Sequence, residues 1–197
     1  KDEILKLFNK NSNIEENSDS FVEQSEANDK SNENIGVGGG EPYEEAKLEE
    51  VISAISIMDT DIDEILKKNI NIIVPVKGTI TSRYGAREQI FENVNPYHTG
   101  IDIANKKNTQ IISATDGKVV KTEKMNKYYG NNVEVEKDGV IFKYAHLETI
   151  QVKGNDEIKQ GDKIGLMGST GMSTGPHLHF EIKINNRTVD PEKILKF

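Results

Sequence analysis

The stretch Asn132-Val133-Glu134-Val135-Glu136-Lys137-Asp138-Gly139-Val140-Ile141-Phe142-Lys143-Tyr144 places two apolar alternations on either side of an Asp-Gly pair. Alternation at period two puts every second side chain on one face of an extended strand, and Asp-Gly tolerates the positive φ angles of a tight two-residue turn. The spacing therefore predicts a β-hairpin, with strands at Asn132 to Val135 and Val140 to Tyr144. Comparable short segments lie on both sides: Ile72 to Pro75, Thr79 to Ser82, Ile111 to Ala114, Lys118 to Thr122 and Leu178 to Ile184. Asp116-Gly117, Gly130-Asn131 and Gly154-Asn155 supply further turns. Many short strands with little helix between them imply a mainly β chain whose compact antiparallel domain runs from about 70 to 197. No segment repeats at a fixed period.

The front of the chain reads differently. Residues 1–40 are rich in Asn, Ser, Glu and Asp and end in Ile35-Gly36-Val37-Gly38-Gly39-Gly40. Such a segment offers too little apolar surface to offset its ordering entropy, and it reads as a disordered acidic stalk with a Gly hinge. Only Ile4 to Phe8 has the composition of a helical turn. Residues 41–69 read as a short helical arm. Leu48, Val51, Ile52 and Ile55 recur at helical spacing from Pro42 to about Ile57, and Asp59, Thr60 and Asp61 offer caps for a second helix carrying Ile62, Ile65 and Leu66 before Asn69. The arm is read either as a clamp over a sheet edge or as a partner-binding element.

Charge follows the same division. The net charge is −8, yet residues 1–50 carry five Lys/Arg against 14 Asp/Glu while residues 51–197 carry 20 against 19. A near-neutral domain without a basic stripe argues against nucleic acid or an anionic membrane surface as the main partner. The chain has no cysteine, which excludes disulfide staples, thiolate ligands and redox pairs, and it has no phosphate-loop motif. No apolar run approaches the roughly 20 residues needed to span a bilayer. Because the first residue is Lys1 rather than Met, a targeting or anchoring segment is expected upstream.

All four histidines fall in short apolar or Gly-bounded stretches: His98-Thr99-Gly100-Ile101-Asp102, Tyr144-Ala145-His146-Leu147 and Gly175-Pro176-His177-Leu178-His179-Phe180. In an extended strand His177 and His179 share a face, as do His98 and Asp102 if that segment is extended. Two imidazoles and a carboxylate suit a tetrahedral zinc ion with its fourth position open to water, the ligand count of a catalytic site. Each residue alone has a duller reading, a hydrogen-bonded structural histidine or a carboxylate bonded to a backbone amide.

Taken in order, Thr81-Ser82-Arg83-Tyr84-Gly85, HTGIDI at 98–103, ATDGKV at 114–119, Tyr129-Gly130-Asn131, YAHL at 144–147 and GSTGMSTGPHLHF at 168–180 resemble the lysostaphin and LytM-type zinc endopeptidases of bacterial cell walls, over roughly Gly78 to Pro191. The resemblance implies that His98, Asp102 and His179 ligate Zn2+, and that His146 and His177 act as the catalytic pair on water and transition state. It further implies a zinc metallopeptidase acting on peptidoglycan peptides, although the family also includes domains used as protein-binding scaffolds. Gly165, Gly168, Gly171 and Gly175 read as turns. Ser169, Thr170, Ser173 and Thr174 read as substrate contacts or plain turn chemistry, and Tyr128 and Tyr129 as cleft lining or strand-end packing.

Two departures stand out. Ala86 to Tyr97, where such enzymes often have a compact Gly-rich segment, is expected to roof part of the cleft. Asn105 to Asn108, in place of a Pro or Gly turn, is expected to alter only a loop. The layout of stalk, arm and one C-terminal domain is also similar to that of the stage II sporulation protein Q group. That similarity implies a membrane-anchored, extracytoplasmic protein of the forespore membrane that acts in sporulation and engulfment. It also implies a protein–protein interaction across the intermembrane space with a mother-cell partner like stage III sporulation protein AH.

Overall fold

The computed structural model describes residues 48–86 and 97–197. The stalk, the beginning of the arm before Leu48, and the segment expected to roof the cleft between Ala86 and Tyr97 lie outside the described residues. The elements are α1 (Leu48–Lys67), β1 (Thr79–Ser82), β2 (Gly85–Ala86), β3 (Tyr97–His98), β4 (Ile101–Ala104), β5 (Gln110–Ile112), β6 (Gly117–Asn126), β7 (Gly130–Lys137), β8 (Val140–Ile150), β9 (Glu157–Ile158), β10 (Lys163–Met167), β11 (His177–Ile184), β12 (Arg187–Val189) and a 3-10 turn at Pro191–Lys193.

The hairpin expected at Asp138-Gly139 joins β7 to β8, with φ of 51° and 81° at the two turn residues. A second two-residue turn, Asn185-Asn186 at φ 53° and 61°, joins β11 to β12. Both are left-handed positions that Asn, Asp and Gly adopt at low cost. The strands form one antiparallel sheet in the order β1-β4-β11-β8-β7-β6-β9, to which β12 adds at β11, and β10 joins β8 to β5. A separate two-stranded ladder pairs Gly85 with His98 and Ala86 with Tyr97.

The central strands β4, β11 and β8 are two-faced. Ile101 and Ile103, Leu178, Phe180 and Ile182, and Phe142 and Tyr144 are fully or almost fully buried in the apolar core. Tyr144 also accepts a 2.8 Å hydrogen bond from the Ala114 amide, so its hydroxyl is satisfied inside the core. The residues between these, Asp102, Lys143, His177, His179 and Glu181, stand on the opposite face, as the pleat requires. Ile72 to Pro75, expected as a strand, is irregular. Among the described backbone hydrogen bonds, Ile73 N donating to Ala114 O and Ile112 N donating to Pro75 O tie it to its neighbours, and Pro75 has no N–H for a ladder.

The arm differs from the expected pair of helices. Leu48–Lys67 is one continuous helix, because Asp59, Thr60 and Asp61 are not used as caps. Thr60 Oγ1 instead donates to the Ser56 carbonyl one turn back at 2.9 Å. Asp61 is buried and accepts two 2.7 Å bonds from the Arg187 guanidinium on β12. Those hydrogen bonds hold the Asp61 carboxyl below its usual range, against the effect of burial. Ile62 and Ile65 enter the core, whereas Leu66 is exposed. Asn69, at φ 50°, ends the helix in the left-handed conformation. No described helix is long and apolar enough to cross a membrane.

Ile65, 1% exposed, is the most buried apolar side chain of α1 among the described residues. Replacing it with alanine is expected to cost about 2–5 kcal/mol, the range for truncating a buried isoleucine, read as a lower urea midpoint at an unchanged m-value.

Candidate metal centre

The pairing of β11 with both neighbours assembles the site. His179 lies opposite Asp102 on β4 and opposite Ala145 on β8, which brings three distant motifs to one line across the sheet. His98 does not continue β4 as a single extended strand. It ends β3, and the bend at Thr99-Gly100 turns its ring back over Asp102.

His146 reaches the same face by a different device. Val133 pairs with Tyr144 and Asn131 with Leu147, so β8 carries one residue more than β7 over this span. This is a β-bulge, and it keeps both Tyr144 and Leu147 in the core while releasing Ala145-His146. His146 has φ 60°, an uncommon left-handed conformation for a non-glycine residue, held by its N–H donating to Tyr129 O at 2.9 Å. Its ring lies 4.6 Å from that of His177 and 5.9 Å from that of His179, centroid to centroid.

Three ligand-type atoms form a nearly equilateral triangle. His98 Nε2 is 3.1 Å from Asp102 Oδ1 and 2.9 Å from His179 Nδ1, and His179 Nδ1 is 2.9 Å from Asp102 Oδ1. Among the described residues this is the one His/Asp/Glu cluster with the spacing of a metal site. Tetrahedral zinc, with bonds to nitrogen and oxygen of about 2.0–2.1 Å, sets its ligand atoms about 3.3 Å apart. The triangle fits such an ion with only slight expansion. His177 Nε2 stands a little farther off, 3.7 Å from the same Asp102 oxygen.

The remaining ring nitrogens fix the tautomers. A carbonyl oxygen only accepts, so the nitrogen facing it carries the proton. His98 Nδ1 donates to Arg83 O at 2.9 Å, His146 Nδ1 to Thr170 O at 2.8 Å, and His177 Nδ1 to Gly175 O at 2.8 Å. Each neutral ring therefore turns an Nε2 lone pair toward the centre.

His179 is held by a carboxylate instead. Its Nε2 meets Glu181 Oε1 at 3.0 Å, leaving Nδ1 for the triangle. Glu181 and Lys143 carry no signature of their own in the sequence. Glu181 follows His177 and His179 at the same period of two, which is the one sequence signal that locates it.

Electrostatics sets His179 and His146 apart. Burial works to raise the Asp102 carboxyl, but hydrogen bonds from His179 and His98 outweigh it and hold the group well below the usual carboxylate range. Glu181 is held low in the same way, mainly by His179. Burial alone would depress His179, yet its bonds to Asp102 and Glu181 raise it to about 9. His146 is driven down to about 3 by burial and by the neighbouring imidazoles. In the metal-free protein His146 is thus the neutral base beside a proton-loaded His179.

The loop residues left open by the sequence act on the rings from behind. Thr170 Oγ1 donates to Leu147 O and accepts from Asn131 N, both at 2.9 Å, which fixes the carbonyl that holds His146. Gly130 makes this approach possible: a Cβ there would lie 2.3 Å from Thr170 backbone carbon, at φ 60°. Ser173 donates to Gly175 O and lies 3.3 Å from His177 Nδ1. Tyr129 donates its hydroxyl to Glu181 at 2.9 Å.

With the fold and the geometry of the site established, the comparisons with known proteins agree on one assignment. Residues 96–191 match peptidase family M23. The chain is 31% identical to the catalytic domain of the antimicrobial peptidase lysostaphin from Staphylococcus simulans, covering 59% of this chain and 91% of that one, with a TM-score of 0.55. It is 43% identical over 97 residues to the peptidoglycan DD-endopeptidase ShyB of Vibrio cholerae, covering 49% of this chain and 22% of ShyB. The structure of the SpoIIQ-SpoIIIAH pore forming complex contains a chain 27% identical, matched over 64% of this chain and 92% of that one at a TM-score of 0.59.

The fold and site define a LytM-type metallopeptidase domain. The chain belongs to peptidase family M23. It spans less than a third of the length of the curated relatives it matches.

The environment of His146 gives a pH signature. In the folded protein it is protonated only near pH 3, against 6.5 ordinarily. The unfolded chain therefore binds the extra proton between these values, and stability contributed by neutral His146 is present above 6.5 and lost as pH falls toward 3. In the metal-free protein, His146→Asn is expected to flatten the fall in urea midpoint across this window.

Proposed function

We propose that this chain is the zinc-dependent peptidoglycan endopeptidase domain of an extracytoplasmic, membrane-anchored protein, acting on stem or bridge peptides of the wall during sporulation and engulfment. The observation that carries this reading is the triangle of His98 Nε2, Asp102 Oδ1 and His179 Nδ1 set beside two further imidazoles whose Nε2 atoms point inward. In this reading His98, Asp102 and His179 hold the metal and His146 and His177 are the catalytic pair. Kinship with lysostaphin and with ShyB supports the substrate class.

Zinc held there supplies Lewis acidity, lowering the pKa of a coordinated water to about 7 and polarising a carbonyl. The remaining work falls to the chain. His146 and His177 each keep Nδ1 bonded to a main-chain carbonyl, so each neutral ring accepts a proton at Nε2 without turning. The proton taken from the attacking water passes to the amine nitrogen as the peptide C–N bond breaks. In its protonated form the same Nε2–H donates toward the oxyanion that develops on the carbonyl oxygen. The two rings act as one pair, their centroids 4.6 Å apart. His177 is the more open of the two, its side chain 12% exposed.

The zinc-loaded protein is expected to release new amino termini from peptidoglycan and cross-bridge peptides. His146→Ala and His177→Ala should lose on the order of 10²–10⁴ in kcat, as expected for removing a general acid or base, while still binding zinc. His98→Ala should lose zinc and activity together. Unchanged cleavage in the two pair variants would overturn the assignment of the pair.

A second reading is a zinc-stabilised scaffold without turnover, one that binds a mother-cell partner like stage III sporulation protein AH across the intermembrane space. It is favoured by the match along 92% of a chain in the SpoIIQ-SpoIIIAH complex. Stoichiometric zinc with no cleavage on a broad substrate panel, together with saturable binding of such a partner, would select it.

A further inference from the structure

Three of the four imidazoles are oriented by main-chain carbonyls, and the fourth is oriented by a side chain. Glu181 is completely buried, and its Oε1 collects three donors: Thr99 Oγ1 at 2.5 Å, Tyr129 OH at 2.9 Å and His179 Nε2 at 3.0 Å. Oε2 faces Lys183 Nζ at 3.1 Å and Lys143 Nζ at 3.8 Å. Lys143 is itself buried, 3.1 Å from Glu134 and with its ammonium 3.9 Å from the centre of the Tyr129 ring.

A buried carboxylate with this many partners is expensive to assemble, since each charge must be compensated inside the protein. Glu181 does not line the metal triangle. Its Oε1 lies on the Nε2 side of His179, opposite the Nδ1 that faces Asp102 and His98. A purely structural ion pair has no need of the imidazole edge, yet this one accepts from it.

We infer that Glu181 is the positioning residue of the metal centre. Held by Thr99, Tyr129 and Lys143, it accepts the Nε2–H of His179, sets that ring's tautomer and rotation, and thereby makes Nδ1 the ligand atom. A ligating histidine depends on the partner of its other nitrogen for orientation and donor strength, and loss of that partner typically weakens metal binding about 10–100-fold. Tyr129, open in the sequence between cleft lining and strand-end packing, acts here as a brace. Its hydroxyl fixes Glu181, and its carbonyl accepts from the His146 amide. Lys143 and Lys183 compensate the carboxylate charge.

The inference rests on the ligand assignment proposed above, and zinc titration of the metal-free protein against a chromophoric chelator tests both. Glu181→Ala is expected to weaken zinc about 10–100-fold and to shift the visible spectrum of the cobalt(II)-loaded protein. Glu181→Gln, which keeps an oxygen acceptor, is expected to recover most of the affinity. A merely structural role would lower the thermal midpoint of the metal-free protein and leave affinity and cobalt spectrum as in the wild type, which would overturn the inference.

Since Glu181→Ala strands two ammonium groups and is at risk of not folding, the wild type supplies a second test. Long-range proton–nitrogen spectra of the zinc-loaded protein should show the His179 proton on Nε2, strongly hydrogen-bonded, with Nδ1 unprotonated. A proton on Nδ1 would overturn the inference and leave His98, Asp102 and His179 as the ligand residues, with Nε2 in place of Nδ1 as the atom of His179. Failure of the wild type to bind zinc at all would remove both.

Discussion

Everything at the site depends on the hydrogen-bond register of β11 between β4 and β8. Those ladders align His179 with Asp102 on one side and with Ala145 on the other, so residues separated by up to 81 positions meet within hydrogen-bonding distance. A slip of one residue would exchange the faces of β11, sending Leu178 and Phe180 to the polar side and the histidines into the core. Register is therefore enforced by the apolar face: Phe142, Tyr144, Phe180 and Ile182 are buried there and resist exposure. The site is accurate because the face behind it is hydrophobic.

This arrangement also explains where strain is tolerated. The bulge in β8 interrupts the ladder at a strand whose neighbours on each side remain paired, and it holds His146 at a positive φ. Backbone strain of this kind persists only where surrounding structure over-determines it. Here the restraint comes from the Tyr129 carbonyl on the His146 amide and from the Thr170 carbonyl on its ring. The Gly130–Thr170 contact presses those two loops together.

Much of the architecture was legible from the sequence because it follows simple periods. The alternation from Asn132 to Tyr144 and the Asp138-Gly139 turn announced the hairpin, and His177 with His179 announced a shared face. The helix break expected at Asp59 to Asp61 does not occur, and nothing local reveals that Asp61 has a tertiary partner in Arg187. Ile72 to Pro75 has a strand's composition but only a loop's hydrogen bonds. Nor does any local pattern reveal that β8 gains a residue at His146, because a bulge is defined by its partner strand. Glu181 was within reach by counting in twos, but a lone glutamate in an apolar strand has no chemistry until the donors around it are known.

The way the imidazoles are held bears on how this domain tolerates inherited change. Three of them hang on peptide carbonyls of Arg83, Thr170 and Gly175, and a carbonyl is retained whatever residue occupies the position. Sequence drift at these three places alters the side chain while the acceptor survives, so long as the backbone path is kept. His179 hangs on a carboxylate that a single base change can delete. Among the four rings, only His179 can lose its orienting acceptor outright through a side-chain substitution.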